Sequence, residues 1–298
     1  MKKSLVLTYL LIASTLVAHS LLAQAIQREV KRTSEKEVRV SINSTFGSVN
    51  IEKGDPDKIV QVFYRSKDKD DEADLDLDYE VDKGVGALRV EMNPEGARVK
   101  SSHDGNINVH VNNFHFRSEE WYVKLTDAVP LSIEAELGAG KSDFDFSGLN
   151  INELSISTGA SSSKLNFDEK NKGEIDDLQI KTGVSKFSAE NLNNANFRKM
   201  SFEGGVGSYY LNFSGALDRT VDVDVNVGLG AVTLVIPRNV GVKIRYEDSW
   251  LSNFTIDDDE FVRKKKGVYE SENWEDARGR MNIFIESGLG SVKIRRTK

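Results

Sequence analysis

A Gly-x-Gly/Ser element recurs along this chain at a nearly constant interval, and that periodicity limits the fold more than any other feature. Gly159 serves as an anchor, within Ile156-Ser-Thr-Gly159-Ala-Ser161-Ser-Ser-Lys-Leu165-Asn-Phe167. The same arrangement surrounds Gly138, Gly183, Gly205 and Gly228, at spacings of 21, 24, 22 and 23 residues. Self-similarity at such a period marks a repeat architecture, in which one unit cannot bury its apolar face alone and stacked neighbours bury it.

The columns align when read from each anchor. Two residues on stand Gly140, Ser161, Ser185, Gly207 and Gly230. Six on stand Phe144, Leu165, Ala189, Leu211 and Leu234; eight on come Phe146, Phe167, Asn191, Phe213 and Ile236. Five and three before the anchor the pairs are Ile133/Ala135, Leu154/Ile156, Leu178/Ile180, Met200/Phe202 and Val223/Val225. This alternation is the period of a strand with one buried face. Each rung therefore reads as strand, Gly turn, strand. Reversing a strand within two or three residues calls for a positive φ that Gly adopts cheaply, and a stacked turn ~4.8 Å away leaves little room for a side chain. A nucleotide-binding glycine loop would need a helix directly afterwards. Here strand residues follow, as in Val232-Thr-Leu234-Val-Ile236.

The register also appears at Gly288, Gly84 and Thr45, giving eight candidate rungs interrupted by insertions near 53–78, 93–132 and 238–282. The expected fold is all-β: a single-stack β-solenoid of about 22-residue rungs with strand-rich insertions. Residues 26–135 form its N-terminal part, and 136–298 the regular part carrying the 238–282 insertion. Phe144, Phe146, Phe167, Phe187 and Phe213 fall on inward columns, where each contributes ~1.5–3 kcal/mol on full burial.

Residues 1–25 have the form of a signal peptide: Lys2 and Lys3, an apolar run from Leu5 to Ala18, then Ala23 and Ala25 as a cleavage pattern. An uncleaved anchor is the alternative, but His19 and Ser20 interrupt a run that would need ~20 apolar residues to span a bilayer. No later segment is apolar enough to be a transmembrane helix. Losing two lysines changes the formal net charge from −7 to −9, which argues against nucleic acid. The absence of cysteine excludes disulfides, thiolate metal sites and a cysteine nucleophile.

An enzyme on this scaffold would show paired acid/base groups on adjacent rungs. The column five after the anchor reads Asp143, Lys164, Ser188, Tyr210, Thr233, Lys293; the column three after reads Lys141, Ser162, Lys186, Ser208, Ala231, Ser291. Neither is a carboxylate ladder. The run from Asp68 to Asp74 fails as an EF-hand, because Ala73 takes the Gly position and Tyr79 that of the bidentate Glu. Asp74, Asp76 and Asp78 alternate with Leu75, Leu77 and Tyr79 as a solvated strand face, with a divalent-cation site as the less favoured alternative. Asp257-Asp-Asp-Glu260 followed by Arg263-Lys-Lys-Lys266 reads as a charged loop neutralised internally. His103, His110 and His115 share one insertion without a carboxylate partner at metal-ligand spacing. Trp121-Tyr122 and Trp250 either cap the solenoid ends or grip a sugar or protein. The sequence names no catalytic, cofactor-binding or metal-ligating residue.

From about Ala128 onward the chain resembles the bacterial toast-rack family, the C-terminal domains of cell-wall-active-antibiotic response proteins, and adhesin repeat families. Leu137-Gly-Ala-Gly140, Gly204-Gly-Val-Gly207, Val227-Gly-Leu-Gly-Ala-Val-Thr-Leu-Val-Ile-Pro237 and Ser287-Gly-Leu-Gly-Ser-Val-Lys-Ile294 carry this resemblance. It implies a right-handed β-solenoid at the cell envelope and carries over no site residue. The functional expectation is a non-enzymatic exported envelope protein, periplasmic or on the cell surface. It would act as a scaffold or adhesin-like module toward an envelope protein or glycan. The alternatives are a polysaccharide-active enzyme using residues of 93–132 and 238–282, and an envelope-stress regulator acting by protein contact.

Overall fold

The computed structural model describes residues 26–65, 73–94, 97–101, 107–111, 120–247 and 252–297; residues 1–25, where the sequence leads one to expect a signal peptide, lie outside them. The chain is all-β. It opens with β1 (Ile26–Lys31), β2 (Glu37–Lys53), β3 (Lys58–Arg65), β4 (Ala73–Asp82) and β5 (Val85–Pro94). A separate two-stranded sheet, β6 (Ala97–Ser101) and β7 (Ile107–Val111), precedes β8 (Glu120–Leu125). Five long strands follow: β9 (Leu131–Asp145), β10 (Ile151–Asn166), β11 (Ile175–Glu190), β12 (Phe197–Asn212) and β13 (Thr220–Pro237). The last are β14 (Gly241–Glu247), β15 (Ser252–Ile256), β16 (Phe261–Lys265), β17 (Val268–Ser271) and the long β18 (Arg280–Thr297).

Seven strands, β2, β9 to β13 and β18, stack in parallel as full rungs, with the sequence columns in register throughout. A rung cannot be straight. β10 has 16 residues, which extended would place its ends ~50 Å apart. Yet Leu154 pairs with Leu178, so the eight-residue link 167–174 must return the chain to its start, and eight residues reach at most ~28 Å. The strand therefore folds back at its glycine into two arms with the core between them. Burial shows the corner directly. Leu154, Ile156 and Thr158 are buried, Gly159 and Ala160 are both exposed, and burial resumes in the opposite parity at Ser163 and Leu165. Across the core of one rung, Phe202 on the first arm meets Tyr209 on the second edge-on, ring centroids 5.2 Å apart. The polar exception in the inward column, Asn191, is left-handed at φ 57°; Leu192 beside it is buried instead.

Close approach is what requires glycine at the anchor, and the expected positive φ is not found there. A Cβ on Gly183 would lie 3.0 Å from the Gly159 carbonyl oxygen, and one on Gly205 would lie 2.6 Å from that of Gly183. The left-handed backbone falls two residues later and in four rungs only, as at Gly140 (φ 137°) and Gly230 (φ 142°). Thr45 tolerates a side chain in the same column. It lies where the neighbouring rung is split, β5 pairing with β2 up to Ser44 and β8 from Ser48 onward.

Both ends of the stack close with a rung built from two separate strands. On β2, β5 covers the first arm and β8 the second; on β18, β14 covers the first arm and β15 the second. Two sequence expectations are corrected here. Gly84 is not a rung anchor: Lys83 (φ 51°) and Gly84 (φ 85°) form the tight turn of the antiparallel β4–β5 hairpin. The 238–282 segment is not wholly an insertion, because β14 and β15 supply the terminal rung. Antiparallel strands then finish each end, with β4 on β5, β3 and β1 on β8, and β17 and β16 on β14.

The return links are tied down by asparagines. Buried Asn171 donates from Nδ2 to the carbonyls of Ile151 (2.7 Å), Gly173 (3.1 Å) and Ala195 (3.2 Å), and its Oδ1 accepts from the Ile151 N–H (2.8 Å). One side chain thus joins its own rung to the rungs on both sides.

Candidate functional site

The outer face of the first arm carries two grooves among the described residues. Its outward positions lie six, four and two before each anchor and at the anchor itself. Because the anchor is glycine, the face sinks beside the corner into a groove of about 1210 Å³ that crosses the rungs from β2 to β13. Its floor is Gly138, Gly159, Gly183, Gly205 and Gly228; its wall is Asn43, Glu136, Ser157, Lys181, Glu203 and Asn226. Parallel in-register pairing repeats these side chains at one rung spacing, ~4.8 Å. Lys181 and Glu203 form an exposed ion pair at 3.6 Å. A second groove of about 840 Å³ on the same arm is lined by Arg39, Asp78, Arg89, Glu134, Glu153 and Asp177, among others.

Beyond the glycine floor the corner carries an apolar ridge. The residue between the two small positions is Phe46, Ala139, Ala160, Val184, Val206, Leu229 or Leu289, paired rung to rung. Val184 is 63% exposed, Val206 44%, and Leu229 and Leu289 45% each. Contiguous exposed apolar side chains beside polar ones mark a recognition surface more often than a bare scaffold. The columns after the anchor, read from sequence, gave neither feature. The signal was present in the apolar middle residue of every Gly-x-Gly/Ser and in the carboxylates before it.

This surface offers hydroxyl, amide and carboxylate groups at regular spacing, which suits hydrogen bonding to an extended ligand. Among the described residues, no group of three or more His, Asp or Glu is placed to hold a metal ion, and no helix is long and apolar enough to cross a membrane.

The residues singled out in the sequence fall in several places. Asp74, Asp76 and Asp78 lie on the exposed face of edge strand β4, with Arg89 2.7 Å from Asp78 and 3.5 Å from Asp76. Asp68 to Glu72, His103, His115 and Trp250 lie outside the described residues; His110 is in β7 opposite Arg98. Trp121 is fully buried in the split rung at the N-terminal end, its ring 4.6 Å from that of Tyr64. Tyr122, half-buried beside it, has the Arg65 guanidinium 5.5 Å above its ring. Charges of 257–266 also pair outside that segment. Glu260 meets Arg238 (2.6 Å) and Arg296 (3.3 Å), while Lys264 meets Glu270 (3.1 Å).

Residues 22–188 match the family model described as the N-terminal domain of toast_rack. Residues 174–294 match that of the cell wall-active antibiotics response protein LiaF, C-terminal. No curated protein matches the chain. Among solved structures it is similar to a candidate cell adhesion protein from Clostridium sporogenes, at 16% identity and a TM-score of 0.41, covering 92% of this chain and 99% of that one. A candidate adhesin from Bacteroides fragilis is 12% identical, TM-score 0.33, covering 91% of this chain and 97% of that one.

Proposed function

From the membership of this chain in the toast-rack family, which its match over 22–188 establishes, we propose that it is a non-enzymatic, exported binding module of the cell envelope. Its ligand is a linear envelope glycan laid along the stack. The observation that carries this reading is the groove of about 1210 Å³ crossing the rungs between a polar wall and an apolar ridge. An extended glycan presents hydroxyls at a repeat close to the rung spacing, so successive sugars meet a polar wall residue of successive rungs. The ridge supplies an apolar surface for the C–H faces of the rings.

The test is co-sedimentation of the purified mature chain with isolated cell-wall and capsular glycans. Binding is expected for the wild type, and it should fall at least ~10-fold in Val206→Asp/Leu229→Asp. Both side chains are exposed, so thermal stability should hold. Absence of binding to every glycan, or release of cleaved sugar, refutes the proposal. The match of 174–294 to the LiaF C-terminal model favours a second reading, an envelope-stress regulator acting by protein contact. In that case the same variant would lose a specific protein from envelope pull-downs while glycan binding stayed absent throughout.

A further inference from the structure

The two ends of the stack are unlike in charge, strand direction and outline, and the three differences fit one another. On the first arm the N-terminal end finishes in β4, whose outer face carries Asp74, Asp76, Asp78, Glu80 and Asp82. At the opposite end the first arm finishes in β16, which carries Arg263, Lys264 and Lys265. β4 runs against the rungs, being antiparallel to β5, which is parallel to β2. β16 runs with them, through two antiparallel steps from β14. Two copies placed on one axis in the same sense would therefore bring β16 of one beside β4 of the next as an antiparallel pair. Each strand has, among the described residues, one neighbour only and a free row of backbone groups on its other side.

The outlines are stepped in opposite senses. Past β18 the first arm adds β14, β17 and β16, whereas the second adds β15 alone. Past β2 the first arm adds β5 and β4, whereas the second adds β8, β3 and β1. The protruding arm at one end meets the recessed arm at the other. The exposed large hydrophobics, among the described residues, point the same way. Besides the four on the corner ridge they are Val81 (42% exposed) on β4 and Val262 (46%) on β16.

We infer that copies of this chain associate end to end, the basic β16 edge of one against the acidic β4 edge of the next. An edge strand offers unpaired backbone donors and acceptors, and like charges along it normally deter pairing. Opposite charges on the two edges remove that deterrent for the head-to-tail contact and keep it for head-to-head and tail-to-tail contacts. Opposite-charge cross-strand pairs add to the joint. Because the contact is heterologous and the rungs repeat by translation, assembly is open and linear rather than a closed ring.

Sedimentation velocity of the full mature chain across a concentration series reads this directly. The expected result is a size distribution that grows with concentration at ~50 mM salt and shifts to monomer at ~500 mM. Asp74→Lys/Glu80→Lys should weaken association roughly tenfold or more, as should Arg263→Glu/Lys265→Glu. An equimolar mixture of the two variants should regain assembly that grows with concentration, since the reversed β16 edge of one complements the reversed β4 edge of the other and their two native edges complement each other as well. A monomer at all concentrations in low salt overturns the inference. So does a discrete dimer that does not grow, or association indifferent to either reversal. Thermal stability of each variant, measured alongside, separates loss of the joint from loss of the fold.

Discussion

The glycine column allows a graded test of what holds the rungs at their spacing. Gly183→Ala and Gly205→Ala change adjacent rungs at the same column, and neither glycine has a left-handed φ. The two substitutions therefore differ only in contact. At Gly183 the new methyl would sit 3.0 Å from the Gly159 carbonyl oxygen, and at Gly205 2.6 Å from that of Gly183. The obstacle is backbone, held in a parallel ladder on both sides, and cannot rotate away as a side chain could. Overpacking of this kind costs ~1–3 kcal/mol, whereas alanine gains ~0.4–1 kcal/mol by restricting the unfolded chain. Gly183→Ala should come out near neutral, and Gly205→Ala should lose ~2 kcal/mol. At ~2–4 °C per kcal/mol for a chain of this size, the difference is a fall in Tm of about 4–8 °C. Thermal unfolding followed by far-ultraviolet circular dichroism measures it. Equal effects at the two positions, or a larger one at Gly183, would refute the argument that carbonyl approach makes this column glycine.

Three further outcomes follow from other contacts. Asn171→Ala breaks four hydrogen bonds that link three rungs and should cost ~2–4 kcal/mol in urea unfolding; a loss below ~1 kcal/mol would show that water replaces the amide. Arg296→Met removes a guanidinium with 1% side-chain exposure that pairs with Glu260 and donates to the carbonyls of Arg238 (3.1 Å) and Val240 (2.9 Å). It should cost ~2–3 kcal/mol and raise amide exchange in β16 first. Stability should also fall with acidification. Hydrogen bonding from Lys172 at 2.6 Å holds the Asp127 carboxyl below its ordinary range. At Glu35 burial pushes the carboxyl up, but hydrogen bonds from Tyr79 (2.7 Å) and Thr33 outweigh it and lower it. A depressed folded pKa contributes stability that is complete above the unfolded value, about 4, and is lost as pH falls through the lower folded value. Tm should therefore drop below pH ~4, and Asp127→Asn should flatten that drop.

The rungs were legible in sequence because parallel in-register stacking gives every copy of a position the same surroundings. Ile156, Ile180 and Phe202 are apolar for one shared reason, and Gly159, Gly183 and Gly205 are glycine for another. The ends were not legible, because they break that equivalence. Gly84-Val-Gly86 spells the repeat, but at Gly84 the chain is reversed by a two-residue turn, and the resulting hairpin carries the same alternation as a rung. β14 and β15 together do the work of one rung, and no sequence spacing shows that two short strands lie side by side with β18. The candidate grooves were not legible for a different reason. Their carboxylates, such as Glu134, Glu136, Glu153 and Glu203, precede their anchors, whereas the columns that follow the anchors carry no repeated reactive group.

The position of β18 bears on how the protein comes to be folded. It lies between β13 and the split rung of β14 and β15, yet it is made after both of them. As the chain emerges in order, the stack can grow from β9 to β13 and must then pause, leaving β13 as a bare edge. Among the described strands, β14 then has only the antiparallel β17 to hold it, and β15 has no pairing partner but β18. Arrival of β18 joins these pieces in a single step, so the rung synthesised late acts as a keystone rather than a fringe. A helper that shields strand edges would matter most during that interval.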